Sequence, residues 1–426
     1  DSLRPLYPDL LILSAGDNRS GDPINDMFEI PAYPMVALMN QIGFHATAVG
    51  NHEFDSNQEG LARLIGLGAF STLCANMEPD PKWKMHVKPY QIFDCGGISV
   101  GVLGITALGS MGLPESHPAR LTDIKFMEPL ETIQKYQFLR EKCDVVLLLS
   151  HLGYTTDVKF SAELPWVDII VGGHSHTQIQ GGEIHNGILI TQNSKSVPFA
   201  THSTLVLSGG KVVEKKAELI AVKGMPGENK TVAELVRYFS ENPAFKRVLA
   251  VAETPFDNRE ELGCMVCEAY LAETDADLSY QNAGGVRIET HPVGDFTMGD
   301  VMKMDPFQND LVEVQVTGKE LAEMLVSCYD NDKQRFPYVG GLKCEVVIDP
   351  ATQKVKKLTL FDLNGKKLNL KKTYRVVSNS YTVAVSPTNR ADQGHSVGIT
   401  TPDIIKNYLE HQKKVSFQGS RCLDIK

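Results

Sequence analysis

The sequence of 426 residues predicts a two-domain α/β protein, and three observations carry that expectation. Short apolar, β-rich runs alternate with helical or loop segments through the first half. A Gly- and Lys-rich stretch at 208–230 then interrupts the pattern, and a second α/β pattern follows it. Length agrees, because a chain of this size exceeds what one hydrophobic core usually supports.

Taken in order, the runs at 10–14, 46–49, 98–105, 145–150, 167–171 and 188–191 read as strands. Ser56 and Glu59 have the spacing of a capping box, and Leu61, Leu64 and Ile65 follow at helical intervals. A helix is therefore expected to start just after Asp55. Gly224-Met225-Pro226-Gly227 marks the close of the first domain. Beyond it Val232, Leu235, Val236 and Phe239 recur at helical spacing in 231–248, consistent with a connecting helix. The expected organisation is a first domain over 1–225, a linker helix over 226–248 and a second domain over 249–426. No internal repeat or low-complexity tract is visible.

Composition excludes several classes. With 42% hydrophobic and 22% charged residues the chain is neither fibrous nor disordered. A net charge of −10 argues against a grip on long nucleic acids, which needs a clustered basic face. A small anionic substrate stays open, since bound metal ions reverse the field of an acidic cleft. No apolar run approaches the roughly 18 residues of a membrane span. Six of the eight cysteines are scattered, so no disulfide framework is visible, and Cys264 and Cys267 form a C-x-x-C without a second pair. Ordinary buried thiols are expected there. The chain starts at Asp1 and enters an apolar strand almost at once, which we read as upstream residues, an export signal among them, lying outside it.

The chemistry gathers at strand ends. Asp17 follows the run at 10–14, Asn51 and His52 follow 46–49, His151 follows 145–150, and His174 and His176 follow 167–171. In an open α/β sheet the carboxyl ends of the strands share one edge, so these groups can converge on one site. Carboxylate, amide and imidazole suit hard or borderline divalent ions. His151 by itself reads more readily as a satisfied histidine than as a ligand. Its company changes that balance, because Gly16-Asp17, Gly50-Asn51-His52-Glu53-Phe54-Asp55 and Gly172-Gly173-His174-Ser175-His176 repeat one design of glycine followed by ligand.

These blocks, Gly-Asp, Gly-Asn-His-Glu and Gly-His-x-His in that order, resemble the calcineurin-like metallophosphoesterases. With Ser150-His151-Leu152-Gly153 and Asn282-Ala283-Gly284-Gly285-Val286-Arg287 the sequence looks like the two-domain 5′-nucleotidase family over nearly its whole length. The resemblance implies a four-layer α/β metallophosphoesterase sandwich, a linker helix and an α/β C-terminal domain that binds substrate. It implies two divalent metal ions, Zn, Mn or similar, with Asp17 bridging them, Asn51, His151 and His174 completing one site, and His176 serving the other. His52 and Asp55 would form the catalytic pair. Asn282 and Arg287 would contact substrate, with Arg259 as a second cation. Phe307, in Asp305-Pro306-Phe307-Gln308-Asn309, and Tyr381 would flank the nucleobase, and Asp392 would belong to the loop closing that pocket. For Tyr381 a core role is nearly as good a reading.

The implied reaction is hydrolysis of nucleoside 5′-monophosphates, or related nucleotide esters, by direct attack of water, in a periplasmic, cell-surface or secreted protein. The family's Asp-x-His block has no counterpart before Asp17. Three alternatives follow: a 2′,3′-cyclic phosphodiesterase/3′-nucleotidase, a nucleotide-sugar pyrophosphatase, and a non-catalytic nucleoside-binding protein with a decayed metal site.

Overall fold

The computed structural model describes residues 3–109, 111–241, 243–332, 334–386, 390–419 and 422–425. It divides into two compact units, one of Asp1–Ser20 with Met27–Glu241, the other of Gly21–Asp26 with Asn242–Lys426.

Two sheets face each other in the first unit. The smaller joins Leu13–Ser14, Ala46–Ala48 and Ser71–Leu73, all parallel. The larger has the order Glu183–His185, Ile188–Thr191, Ile169–Gly172, Val145–His151, Ile98–Thr106, Tyr90–Cys95, with a parallel centre and antiparallel edges. A strand exposes alternate side chains to opposite faces. Accordingly Val145, Leu147 and Leu149 pack towards Ala46, Ala48 and Leu73 of the smaller sheet, while Val146 and Leu148 join Ile133, Leu139 and Phe160 from the helices on the outer face. Helices Tyr33–Ile42 and Asn57–Leu67 cover the other side through Val36, Leu61 and Leu64. The result is helix, sheet, sheet, helix.

Three local readings are refined. The first strand is shorter than the apolar run at 10–14, because the Ile12 amide donates to His45 Nδ1 (3.0 Å) instead of to a neighbouring carbonyl. Ser56 does precede a helix, yet its side chain makes no capping bond; its hydroxyl accepts from Arg19 instead. The stretch from 208 onwards, read as a domain end, begins with a long ribbon, Phe199–Ser208 against Lys211–Ala221, turned by Gly209 and Gly210 at positive φ. Helix Lys230–Ser240, capped by Asn229, follows and clusters with the first unit.

The second unit is built on a five-stranded mixed sheet, ordered Tyr338–Gly340, Leu278–Gln281, Thr373–Asn379, Asp310–Thr317, His395–Thr400. Helices Arg259–Ala272, Gly318–Asn331 and Thr401–Gln412 help bury a core that includes Tyr270, Tyr280, Val314, Val376 and Ile405. No helix among the described residues is long and apolar enough to cross a membrane.

Candidate metal centre

Asp17, His151 and His174 reach one point from three separate strand ends. Their ligand atoms all lie within 4.8 Å of one another. Asp17 Oδ2 is 3.0 Å from His151 Nε2, and Asp17 Oδ1 accepts the His52 amide at 2.9 Å. Asn51 Oδ1 lies 3.3 Å from His151 Nε2 and 3.0 Å from His174 Nδ1, while its amide nitrogen donates to the Glu115 carbonyl at 3.1 Å. That bond turns the Asn51 oxygen towards the imidazoles. His176 is exposed on the same turn and lies outside this group of three.

The backbone is shaped for this convergence. Asp17, His174 and His176 all have φ between 56° and 69°, a left-handed conformation that non-glycine residues adopt rarely. At Gly16, φ is 91°, and a Cβ would stand 2.7 Å from the Gly50 nitrogen and 2.9 Å from His151 Nδ1. A Cβ at Gly50 would strike the Asp17 carboxylate. Glycine is therefore required where the two loops cross.

Electrostatics fits a cation. Burial by itself raises the pKa of Asp17, but the imidazoles of His151, His52 and His174 outweigh it and hold the carboxyl well below its usual range. For His151 burial lowers the pKa, and the Asp17 carboxylate together with the Ala15 carbonyl reverses this, raising it to about 9. The Nδ1–H of His151 donates to Ala15 O at 2.5 Å, which leaves Nε2 as the nitrogen facing Asp17. A carboxylate, an amide oxygen and two imidazoles make a donor set that would hold a divalent ion, with His151 serving as a neutral imidazole through Nε2.

Beside this group, His52 and Asp55 lie on the 3-10 turn His52–Ser56, where three residues per turn align positions i and i+3. His52 Nδ1 and Asp55 Oδ2 are 2.8 Å apart, with both side chains largely enclosed. Asp55 also accepts from Ser116 Oγ (3.2 Å) and Arg120 Nη1 (3.4 Å), and from Ser20. Burial pushes its pKa up, but His52, Arg120 and Arg19 overcome this and lower it to about 2. Asp55 is thus a fixed anion.

Sequence reasoning missed Glu53, Ser116 and Arg120. Buried Glu53 accepts from the amides of Gly50 (2.6 Å), Asp17 (2.9 Å) and Asn18 (2.7 Å), tying the two ligand loops together. Its signal was present in the Gly-Asn-His-Glu block. Ser116 and Arg120 come from a loop region with no motif, so nothing pointed to them.

In the second unit the proposed substrate residues lie apart along the chain and are held in different ways. Asn282 is buried, and its Oδ1 accepts from Gln281 (3.2 Å), Asn379 (2.9 Å) and Thr382 (3.0 Å). The Arg287 guanidinium lies 5.6 Å from the centre of the Phe307 ring. Tyr381 is half-buried in the short helix Ser380–Ala384. Arg259 pairs with Glu289. Asp392 accepts from the amides of Gln315 (2.7 Å) and Gly394 (2.9 Å).

A mixed α/β scaffold with this centre defines a metal-dependent phosphoester hydrolase. A calcineurin-like phosphoesterase family model matches residues 1–178, and a 5′-nucleotidase C-terminal domain model matches residues 239–386. The chain belongs to the two-domain 5′-nucleotidase family of calcineurin-like phosphoesterases. It is 27% identical over 466 residues to a 5′-nucleotidase of Vibrio cholerae serotype O1, covering 94% of this chain and 82% of the relative. Protein UshA of Yersinia enterocolitica is 24% identical over 469 residues, covering 94% and 83%. The crystal structure of a 5′-nucleotidase precursor from Thermus thermophilus matches with a TM-score of 0.84 at 25% identity, covering 97% of this chain and 90% of that one.

Proposed function

We propose that this chain hydrolyses nucleoside 5′-monophosphates with water, holding one divalent ion through Asp17, Asn51, His151 and His174 and a second through Asp17 and His176. The observation that carries the reading is the meeting of Asp17, His151 and His174 from three strand ends, with ligand atoms within 4.8 Å. Bound divalent ions supply Lewis acidity for the phosphoryl oxygens and a lowered pKa for water. His52, its Nδ1 held 2.8 Å from the Asp55 carboxylate, keeps Nε2 for the proton that the departing ester oxygen needs. The fixed negative charge of Asp55 holds that ring in place through Nδ1.

The second unit supplies selection in this reading. Arg287 binds anionic or ribose oxygens with its planar fork, and Phe307, beneath that guanidinium, offers a ring to the base. Asn282, Tyr381, Arg259 and Asp392 complete the proposed substrate contacts. Export to the periplasm, cell surface or medium belongs to the same reading and rests on the family resemblance alone.

Phosphate release from AMP, 3′-AMP, 2′,3′-cyclic AMP and a nucleotide sugar, with Mn or Zn added and then chelated, tests the reading. Release fastest from AMP and abolished by chelation is expected. Faster release from another ester reassigns the substrate, and nucleoside binding without any release overturns the catalytic reading.

A further inference from the structure

A second cluster of ligand-type groups lies in the other unit, independent of the centre described above: Glu260, Cys264 and Cys422, again within 4.8 Å of one another. Cys264 stands on helix Arg259–Ala272, and Cys422 directly precedes the strand Leu423–Ile425. Their sulfur atoms are 2.9 Å apart. The approach is built from several sides. Glu260, one helical turn before Cys264, accepts the amides of Cys422 and Leu423 through one oxygen, each at 3.2 Å. The Cys422 carbonyl in turn accepts the Cys344 amide at 3.3 Å, and Cys344 pairs with Leu423 in the parallel ladder.

We propose that Cys264 and Cys422 are oxidised to a disulfide that staples the strand Leu423–Ile425 to helix Arg259–Ala272. The sulfurs must close by about 0.9 Å to reach a bond of about 2.0 Å, within the play of two side-chain torsions. A shared zinc needs an equal movement in the opposite sense, since two thiolates on a tetrahedral ion at about 2.3 Å each stand about 3.8 Å apart, and it also needs a further ligand. Glu260, the third candidate ligand, is already committed to two amides through the oxygen named above. Nor is the C-x-x-C the reactive pair, since Cys267 is fully buried in the hydrophobic core.

The oxidant is a disulfide, either a small one such as oxidised glutathione or that of a protein oxidase. One thiolate of the pair attacks it, forming a mixed disulfide and releasing the first thiol. The other, giving its proton to solvent, displaces the second thiol and leaves the Cys264–Cys422 bond. Two protein thiols are oxidised as one disulfide is reduced to two thiols. The bond closes a loop between residues 158 apart in sequence, a separation at which cross-linking restricts the unfolded chain strongly.

The test is peptide mapping without reductant. Purified full-length chain is incubated with oxidised glutathione, unfolded with iodoacetamide present, digested and weighed. The expected result is a linked peptide pair holding Cys264 and Cys422, about 2 Da lighter than the two free peptides, with the other six cysteines alkylated. Alkylation of both Cys264 and Cys422, or linkage of either to Cys267 or Cys344, overturns the proposal. So does zinc that co-purifies with the chain and is lost in Cys422→Ser. Melting curves give a second reading that needs no peptide map. Dithiothreitol is expected to lower the melting temperature of the parent by several degrees to that of Cys264→Ala or Cys422→Ala, with the double variant no lower than either. Additive losses in the double variant, with a parent insensitive to dithiothreitol, contradict it.

Discussion

Asp17 and Asn282 both follow a short apolar strand on a glycine-bearing turn, yet the two units hold them differently. The carboxylate of Asp17 faces three imidazoles contributed by other loops, and its own backbone is in the left-handed region. The amide oxygen of Asn282 is surrounded by donors from Gln281, Asn379 and Thr382 of its own sheet and adjoining helix. The same contrast repeats around them. His151, His174 and Asn51 point at one another across the chain, whereas Asp392 and Arg259 spend their charges on nearby amides and on Glu289. Metal chemistry demands a few residue types brought close, and that leaves a mark on the sequence. Substrate selection can be built from groups that also serve the fold.

The sharpest break between the units is at His52. If chemistry resides in the first unit as proposed, His52→Ala lowers kcat on AMP by about 10²–10⁴-fold while metal content and KM stay near those of the parent. Elemental analysis and steady-state kinetics on one preparation check both halves. A variant as fast as the parent returns His52 to a structural role.

Next in size is Glu53. Its carboxylate satisfies three backbone amides that fix Asp17, Asn18 and Gly50, and a Gln there sets an NH₂ donor against other donors. Glu53→Gln is expected to weaken metal binding by about 10–100-fold, as for other groups that orient ligands without touching the ion. Titration calorimetry with Mn or Zn measures it, and excess metal should restore kcat. Unchanged affinity means that the two loops hold their register without the carboxylate.

What could be read in advance follows from the same contrast. The parallel strands Val145–His151 and Ile188–Thr191 were legible as near-continuous apolar runs because both faces are buried. The proposed ligands were legible because each follows such a run. The ribbon Phe199–Ser208 with Lys211–Ala221 was not, since its burial alternates and its polar face reads as loop; only Gly209-Gly210 announced the turn. Ser56 shows a limit of motif reading, because a capping-box spacing cannot reveal that Arg19 will claim the hydroxyl. Ser116 and Arg120 reach Asp55 from about sixty residues away, a contact that only the tertiary fold creates.

Phe307 probes the second unit more gently. Its proposed stacking on the base predicts that Phe307→Ala raises KM about tenfold for AMP, GMP and UMP alike, since one base–aromatic contact contributes about 1–3 kcal/mol and tolerates any base. Turnover of p-nitrophenyl phosphate, which carries no nucleobase, should stay near parent level because uniform binding was lost and not chemistry. Equal loss on both substrates with a lowered melting temperature makes Phe307 a core residue instead.

The smallest effect on activity belongs to Asp305, which anchors the Phe307 turn and takes no part in the proposed chemistry. Its side chain is buried, with one oxygen accepting from Thr401 Oγ (2.5 Å) and the other from the Phe307 amide (3.3 Å). Burial raises its pKa from 3.8 to about 6, and those two hydrogen bonds pull it back only in part. Between those values the folded protein keeps a proton that the unfolded chain has released. Stability from this group is therefore complete below pH 3.8 and is lost as the pH rises through about 6. The shift corresponds to about 3 kcal/mol at most. Asp305→Asn stays neutral at every pH and keeps an oxygen for the Phe307 amide, while the Thr401 hydroxyl can turn to accept from the new NH₂. The variant should thus gain on the parent in melting temperature from pH 4 to pH 7, with KM for AMP unchanged. An offset that does not vary with pH would mean that Asp305 is ionised throughout, with a cation or water compensating it. A KM that rises with the substitution would mean that the carboxylate, and not only the ring it anchors, takes part in holding the nucleotide.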